Sequence, residues 1–183
     1  MIRLSLIQTS RDRAFDLEYF VDTLNKQQDL DFSEIQLIFV DQGNLRSCFN
    51  RLNPDIDFLY LKTTPCSLSH ARNIGLKEVK GEYVCFPDDD CWLDDHTIIR
   101  VLRKLEQGYN GVIIPATNEE GKPLGVYPKQ ETLISEYNHC NACSITLFLR
   151  YYIDVKFDEN LGVGSKFKLS AGEETDYVIE TFR

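Results

Sequence analysis

The sequence predicts an α/β protein with a mostly parallel sheet, and two observations carry this prediction. Short apolar runs rich in β-branched residues, typical of buried strands, recur at residues 3–8, 35–40, 58–61, 83–86 and 112–114. The segments between them space their apolar residues as amphipathic helices do. Strands that alternate with helices form right-handed βαβ units, which place parallel strands side by side. Ligands of such sheets bind beyond the carboxyl ends of the strands, so the residues that follow each strand are the candidate site.

Three helices can be placed between these strands. Residues 17–24 put four apolar side chains at the i, i+3, i+4, i+7 spacing of one helical face. A second helix is expected to begin at Ser67 or Ser69, because either hydroxyl can accept a hydrogen bond from the first turn. A third helix is expected to take Asp94 or Asp95 as its N-cap.

The pattern changes after residue 115. Residues 118–123 are typical of a hairpin loop, and residues 144–149 predict a further strand. Gly172 and the acidic residues after it predict the start of a final helix. We interpret the whole chain as one domain, since 183 residues suit a single core.

Charge and hydropathy limit the expected partners. The chain has 20 basic and 29 acidic residues, which gives a net charge of −9. Nucleic-acid binding needs a basic surface, so nucleic acid is not an expected partner. No apolar run reaches the roughly 18 residues of a membrane span, and we therefore expect a cytoplasmic protein.

The six cysteines are expected to be reduced thiols. Cys140 and Cys143 form a lone Cys-x-x-Cys pair beside His139, but a structural zinc site needs four ligands and usually a second close pair. No such pair stands at a suitable spacing, so free thiols are favoured over zinc.

The acidic run at residues 88–90 is the strongest chemical signal. Three adjacent carboxylates repel one another, and a hard divalent ion such as Mg²⁺ or Mn²⁺ would relieve that repulsion. If the segment is extended, Asp88 and Asp90 face one ligand while Asp89 faces elsewhere. The alternative is a solvated acidic turn in an acidic protein.

Four short motifs occur in order along the chain. Residues 40–44 read Val-Asp-Gln-Gly-Asn, and residues 71–75 read Ala-Arg-Asn-Ile-Gly. Residues 81–90 run from a Gly-Glu-Tyr strand entry to an Asp-x-Asp motif, and residues 172–176 read Gly-Glu-Glu-Thr-Asp. Together they resemble the family 2 glycosyltransferases, whose corresponding turn is usually Val-Asp-Asp-Gly-Ser and whose late motif is Glu-Asp.

This resemblance implies a single GT-A domain, a Rossmann-like nucleotide-diphospho-sugar transferase fold with a mixed, mostly parallel sheet. It implies inverting transfer of a sugar from a UDP-, GDP- or dTDP-sugar to a saccharide or lipid-linked acceptor, as in bacterial surface polysaccharide synthesis. The cofactor would be Mn²⁺ or Mg²⁺. Residues 1–115 would form the nucleotide-binding half, and residues 116–183 part of an acceptor-side half.

The resemblance also assigns residues to the nucleoside end of the donor. Asp41 would accept hydrogen bonds from the base or ribose, and Thr9 and Arg11, expected just past the first strand, would flank it. Arg72 would approach the base or the diphosphate, to which its planar fork can donate two parallel hydrogen bonds. The alternatives are a plain turn aspartate, an exposed loop and a surface arginine.

The acidic run would hold the diphosphate end of the donor. By the resemblance, Asp90 would ligate the metal directly. Asp88 would touch the ribose, or the metal through water, and Asp89 belongs to the same cofactor-binding segment.

The late motif would supply the general base. The resemblance points to Glu174, which stands where the family has an aspartate and is one methylene longer. This departure leaves Glu173 and Asp176 as alternatives. The other interpretation of these residues is the acidic first turn of a helix, stabilised by the helix dipole.

Family members usually continue beyond the late motif, and that part often shapes the acceptor site or touches the membrane. We therefore expect a truncated or naturally short member, with peripheral attachment at the inner face of the membrane through the missing part. A noncatalytic nucleotide-sugar-binding module is a second candidate. A nucleotidyltransferase ranks last, because it would need a glycine-rich loop that residues 9–13 do not supply.

Overall fold

The computed structural model describes residues 1–135, 137–138 and 143–182, and these contain one six-stranded sheet and four α-helices. The strands are β1 Leu4–Ser10, β2 Ile35–Asp41, β3 Asp57–Lys62, β4 Tyr83–Cys85, β5 Gly111–Ile113 and β6 Leu147–Arg150. The α-helices are α1 Ala14–Asn25, α2 Leu68–Leu76, α3 Thr97–Leu105 and α4 Glu173–Glu180. Short 3-10 turns occur at Phe32–Glu34, Arg46–Phe49 and Ser144–Thr146.

The sheet is mixed, with strand order β3-β2-β1-β4-β6-β5. β1 pairs in parallel with β2 and β4, and β2 pairs in parallel with β3. β6 runs antiparallel to both of its neighbours, β4 and β5. The mostly parallel, mixed α/β sheet predicted from the sequence is therefore confirmed.

Helices cover both faces of the sheet. Leu4 and Leu6 of β1 belong to the core on the side of α1 and α3, whereas Ile7 belongs to the core on the side of α2 and α4. All seven residues of β1 and of β2 are buried. Burial on both faces explains why these strands are mostly apolar and do not alternate with exposed polar residues. Their buried polar side chains are hydrogen-bonded, as in the Ser5–Gln36 pair at 2.5 Å.

The start of α3 differs from the prediction. The helix begins at Thr97, and neither Asp94 nor Asp95 caps it. Instead, the side chain of Gln27 accepts a hydrogen bond from the Ile98 amide at 3.0 Å and donates one to the Asp94 carbonyl at 2.7 Å. A cap supplied by another element leaves no local signal, so the sequence pattern could not reveal it.

Other predicted elements hold with small changes. Ser67 caps α2, accepting a hydrogen bond from the His70 amide at 3.3 Å. An antiparallel bridge between Thr117 and Pro123 closes the predicted hairpin loop. The strand predicted at residues 144–149 begins only at Leu147, because its first three residues form a 3-10 turn.

Two further expectations concern membranes and thiols. No helix in the described part of the chain is long and apolar enough to cross a membrane. Among the same residues, the cysteines at 48, 66, 85, 91 and 143 are free. His139 and Cys140 of the Cys-x-x-Cys segment lie outside the described residues.

Candidate active site

Arg72 of α2 joins the two acidic motifs at the carboxyl edge of the sheet. Its side chain is only 2% exposed, and its Nη2 donates to Asp88 Oδ1 at 2.9 Å. Its Nη1 donates to Glu174 Oε1 at 3.3 Å and lies 3.8 Å from Glu173 Oε1. The guanidinium carbon lies 5.2 Å from the centre of the Phe157 ring. The surface-arginine interpretation is therefore wrong, because this charge is buried among carboxylates and an aromatic face.

Asp88 follows β4 and is fixed on both carboxylate oxygens. Oδ1 accepts from Arg72, and Oδ2 accepts from Ser144 Oγ at 2.8 Å. Desolvation by the surrounding protein raises the pKa of Asp88, against the opposing effects of Arg72 and Ser144. The sequence analysis missed Ser144, since no motif marks a serine 56 residues away from its partner.

Asp89 and Asp90 lie in a turn and share a second arginine. Arg13 Nη1 contacts Asp90 Oδ2 and lies 3.3 Å from Asp89 Oδ1, while Ser10 Oγ donates to Asp89 Oδ2 at 2.6 Å. Burial raises the pKa of Asp89, and the Ser10 hydrogen bond and Arg13 oppose that effect. The expected common direction of Asp88 and Asp90 is wrong: the chain turns after Asp88, so Asp90 points with Asp89 towards Arg13.

The three candidates for the base lie in the first turn of α4. Gly172 precedes them with φ of +101°, a conformation that glycine adopts without strain. Glu173 is buried, and its Oε2 has no hydrogen-bond partner among the described residues; burial raises its pKa. The Glu174 side chain is partly exposed beside Arg72. Asp176 is half-buried, and its amide donates to the Gly172 carbonyl at 3.0 Å.

Asp41 ends β2 and organises the turn that follows. Its carboxylate accepts from the Gly43 amide at 2.6 Å, the Leu45 amide at 3.0 Å and Tyr60 Oη at 2.7 Å, and Lys62 Nζ lies 3.5 Å away. Burial alone would raise the pKa of Asp41, but these hydrogen bonds outweigh it and lower the pKa. The contacts are those of a turn aspartate, and its role at a nucleoside stays a prediction.

The two residues expected to flank Asp41 differ in placement. Thr9 does not lie past the first strand: it is inside β1, buried, and its Oγ1 donates to the Val40 carbonyl at 3.0 Å and accepts from Gln42 Nε2 at 3.1 Å. Its expected position past the first strand is wrong, and so is the alternative of an exposed loop, because β1 continues to Ser10 in register with β2. Arg11 does follow the strand and is exposed.

The acidic residues fit a divalent ion only if a ligand completes the site. The Asp90 side chain is 55% exposed, and the side chain of Asp88, two residues earlier, is partly exposed. In the described residues, no three His, Cys, Asp or Glu side chains gather as a metal cage. Mg²⁺ commonly takes one or two protein carboxylates and fills its other positions with phosphate oxygens and water, which matches this donor set.

The mixed, mostly parallel sheet is covered by helices on both faces and carries acidic residues at its carboxyl edge. This combination defines a GT-A glycosyltransferase domain. The chain belongs to glycosyl transferase family 2, whose family model matches residues 5–164.

Relatives with known sequence or structure agree with this assignment. Glycosyltransferase GlyA of Streptococcus pneumoniae serotype 4 (strain ATCC BAA-334 / TIGR4) is 28% identical over 78 residues, which are 40% of this chain and 11% of GlyA. The crystal structure of S. aureus TarS matches with a TM-score of 0.74 and 18% identity, over 97% of this chain and 34% of TarS. TarS 1–349 in complex with UDP-GlcNAc gives a TM-score of 0.75 and 19% identity, over 90% of this chain and 51% of that one.

The chain thus spans one third to one half of the TarS chains and a smaller part of GlyA. At these identities the structural likeness shows the fold, and the GT-A fold predicted from the motifs is confirmed.

Proposed function

We propose that this chain transfers a sugar, with inversion, from a nucleotide-diphosphate-sugar to an acceptor hydroxyl. One observation carries the proposal: Arg72 holds Asp88, at the end of β4, and Glu174, at the start of α4, on one guanidinium group. The residue proposed near the diphosphate, Asp88, and the proposed base, Glu174, are thereby kept at a fixed separation. Fixed geometry of this kind lowers the barrier by removing the cost of bringing groups together.

Glu174 is the base in this proposal. It is the carboxylate of the first α4 turn that both faces Arg72 within hydrogen-bonding distance and stays partly exposed. Glu174 would accept the proton of the acceptor hydroxyl as that oxygen attacks the sugar carbon. Glu173 is buried away from water, which favours a supporting role beside Arg72. Asp176 stays an alternative base.

Charge on the leaving diphosphate would be balanced at the other end of the site. Asp90 is the candidate direct ligand of Mn²⁺ or Mg²⁺, and Asp88 would reach the ion through water. Such an ion, when bound, supplies Lewis-acid stabilisation of phosphate oxygens. Asp89 would stabilise this turn through the hydrogen bond that it accepts from Ser10. Arg72, at the same edge, is proposed to approach the diphosphate when the donor enters.

The donor lies, in this proposal, over the half formed by residues 1–115. The Asp41 turn, Thr9 and Arg11 border the nucleoside position, and a UDP-sugar is the first donor to test because TarS is known in complex with UDP-GlcNAc. The acceptor, a saccharide or lipid-linked molecule, would be reached from the side of residues 116–183. From the family resemblance, we place the reaction in bacterial surface polysaccharide synthesis at the inner face of the membrane.

The test separates donor binding from catalysis. Calorimetry with UDP, with and without Mn²⁺, is expected to show Mn²⁺-dependent binding that Asp90→Asn abolishes and Asp55→Asn, an exposed control, retains. Slow hydrolysis of UDP-GlcNAc is expected to be lost in Glu174→Gln with UDP binding intact, while Glu120→Gln in the exposed hairpin loop hydrolyses normally. Binding without any hydrolysis would instead indicate a noncatalytic module, and the absence of nucleotide binding would contradict the proposal.

A further inference from the structure

We propose that Arg13 is an internal counter-ion that holds Asp90 until a divalent cation displaces it, and that Arg13 thereby sets the metal affinity of the site. The inference rests on the proposed function, since it concerns how a metal reaches Asp90. Neither the motifs nor the family resemblance assigns a role to Arg13.

The contacts of Arg13 place one cation on two acidic residues. Its Nη1 contacts Asp90 Oδ2 and lies 3.3 Å from Asp89 Oδ1. The hydrogen bond that Arg13 donates to Asp90 is the largest influence that raises the pKa of Arg13, followed by the charge of Asp89. Two adjacent carboxylates would repel each other without a cation, and the guanidinium meets that need before any metal arrives.

Of the three carboxylates, Asp90 is the one that can most easily exchange its protein contact for a metal ion. Asp88 is held by Arg72 and Ser144, and Asp89 is held by Ser10. At this turn, Asp90 contacts Arg13, whose side chain is itself 48% exposed. Ion pairs between exposed side chains are weak, so a dication can compete for this oxygen.

Arg13 and a metal compete for Asp90. An arginine does not lose its proton in proteins, so a dication that binds the Oδ2 atom contacted by Arg13 has to displace the guanidinium. Binding of the metal is then an exchange of cations, and part of its favourable energy is spent on breaking the Arg13 pair. The released guanidinium remains at the sheet edge, where the anionic diphosphate would lie.

The experiment measures Mn²⁺ alone, by the loss of the free-ion signal in electron paramagnetic resonance, on the intact chain. Arg13→Gln removes the competing cation and is expected to bind Mn²⁺ about two- to fivefold more tightly than the wild-type protein, the range expected for an exposed ion pair. Arg100→Gln removes the same charge from an exposed arginine of α3, outside the proposed site, and is the matched control. It is expected to change the affinity much less, because salt screens exposed charges.

A second background completes the test. With Asp90→Asn in place, Arg13→Gln is expected to leave Mn²⁺ binding abolished, because the carboxylate over which the two cations compete is gone. Equal changes in Arg13→Gln and Arg100→Gln, or Mn²⁺ binding that Arg13→Gln restores without Asp90, would overturn the inference.

A failure of the Arg13 inference can be distinguished from a failure of the proposed function. Mn²⁺-dependent UDP binding by the wild-type protein, together with an unchanged Arg13→Gln affinity, would reject the Arg13 role alone. If Arg13→Gln unfolds, Arg13→Met provides the second variant. It keeps an apolar stem and removes the competing charge, so it is expected to bind Mn²⁺ more tightly than the wild-type protein, and an unchanged affinity would count against the exchange.

Discussion

Among single residues, Arg72 makes the strongest contribution to the site. Arg72→Met keeps an apolar stem but leaves Asp88 and Glu173 without their cation. We expect the free energy of unfolding to fall by about 3 kcal/mol, at the lower end for a broken buried pair because Asp88 is partly exposed. Urea denaturation measures it. Arg51→Met, which breaks the exposed pair with Asp22, is the control and should cost under about 1 kcal/mol. Similar costs for the two variants would contradict the buried network.

Glu173 gives the second prediction for a single residue, and it concerns pH. Its folded pKa is raised, chiefly by burial, so the native state holds this proton more tightly than the unfolded chain. The stability it contributes is therefore lost as pH rises through the folded pKa. Glu173→Gln, which mimics the neutral form, should be more stable than the wild-type protein at neutral pH, and the gain should vanish below the ordinary value of 4.5.

Urea denaturation at both pH values measures this difference in stability. Glu120→Gln, in the exposed hairpin loop, should show no such dependence on pH. A Glu173→Gln protein that is less stable than the wild-type protein at neutral pH would mean that its charge is stabilised by Arg72 more than it is penalised by burial.

Among elements, the turn after β2 depends on Gly43. A Cβ at this position would lie 1.8 Å from the Arg11 carbonyl oxygen, which is backbone and cannot swing away. Gly43→Ala should therefore push apart the turns that follow β1 and β2, cost about 1–3 kcal/mol of stability and weaken UDP binding. Gly108→Ala is the contrast, because its φ of +94° is strained but nothing lies within 4 Å. It should lose stability and keep its UDP affinity, as measured by urea denaturation and calorimetry.

The same elements show what could be read from the sequence. β2 and its turn were predictable because burial on both faces gives a largely apolar run and because an Asp-x-Gly turn has its own chemistry. Arg72 was located by its motif, but its burial was not, since that depends on Phe157 and on the start of α4. The contacts of Arg13 and Ser144 with the acidic run were not predictable, because they arise only when segments far apart in sequence meet at the sheet edge.

For the whole molecule, the sequence suggested two halves divided near residue 115, yet the sheet crosses that division. β6 enters from the second half and pairs with both β4 and β5 of the first. The rings of Phe157 and Tyr177 also pack on Phe86, at 4.8 Å and 5.1 Å between centroids. The insertion of β6 between β4 and β5 leaves no local pattern, so the sequence could not reveal this interlocking.

This interlocking gives the final prediction: a chain ending at residue 115 should not fold cooperatively. It would lack β6, which is the strand that β5 pairs with in the described sheet, and would expose the apolar face of Phe86. Urea denaturation followed by the fluorescence of Trp92, the single tryptophan, should give a broad change for this fragment and a sharp transition for the full chain. Deleting the exposed residues 128–133 removes the surface pair of Lys104 with Glu131 and the hydrogen bond from Asn138 to the Leu133 carbonyl, but no strand, and should keep the transition sharp. A sharp transition in the fragment that ends at residue 115 would mean that residues 1–115 hold a complete core and form an independent domain.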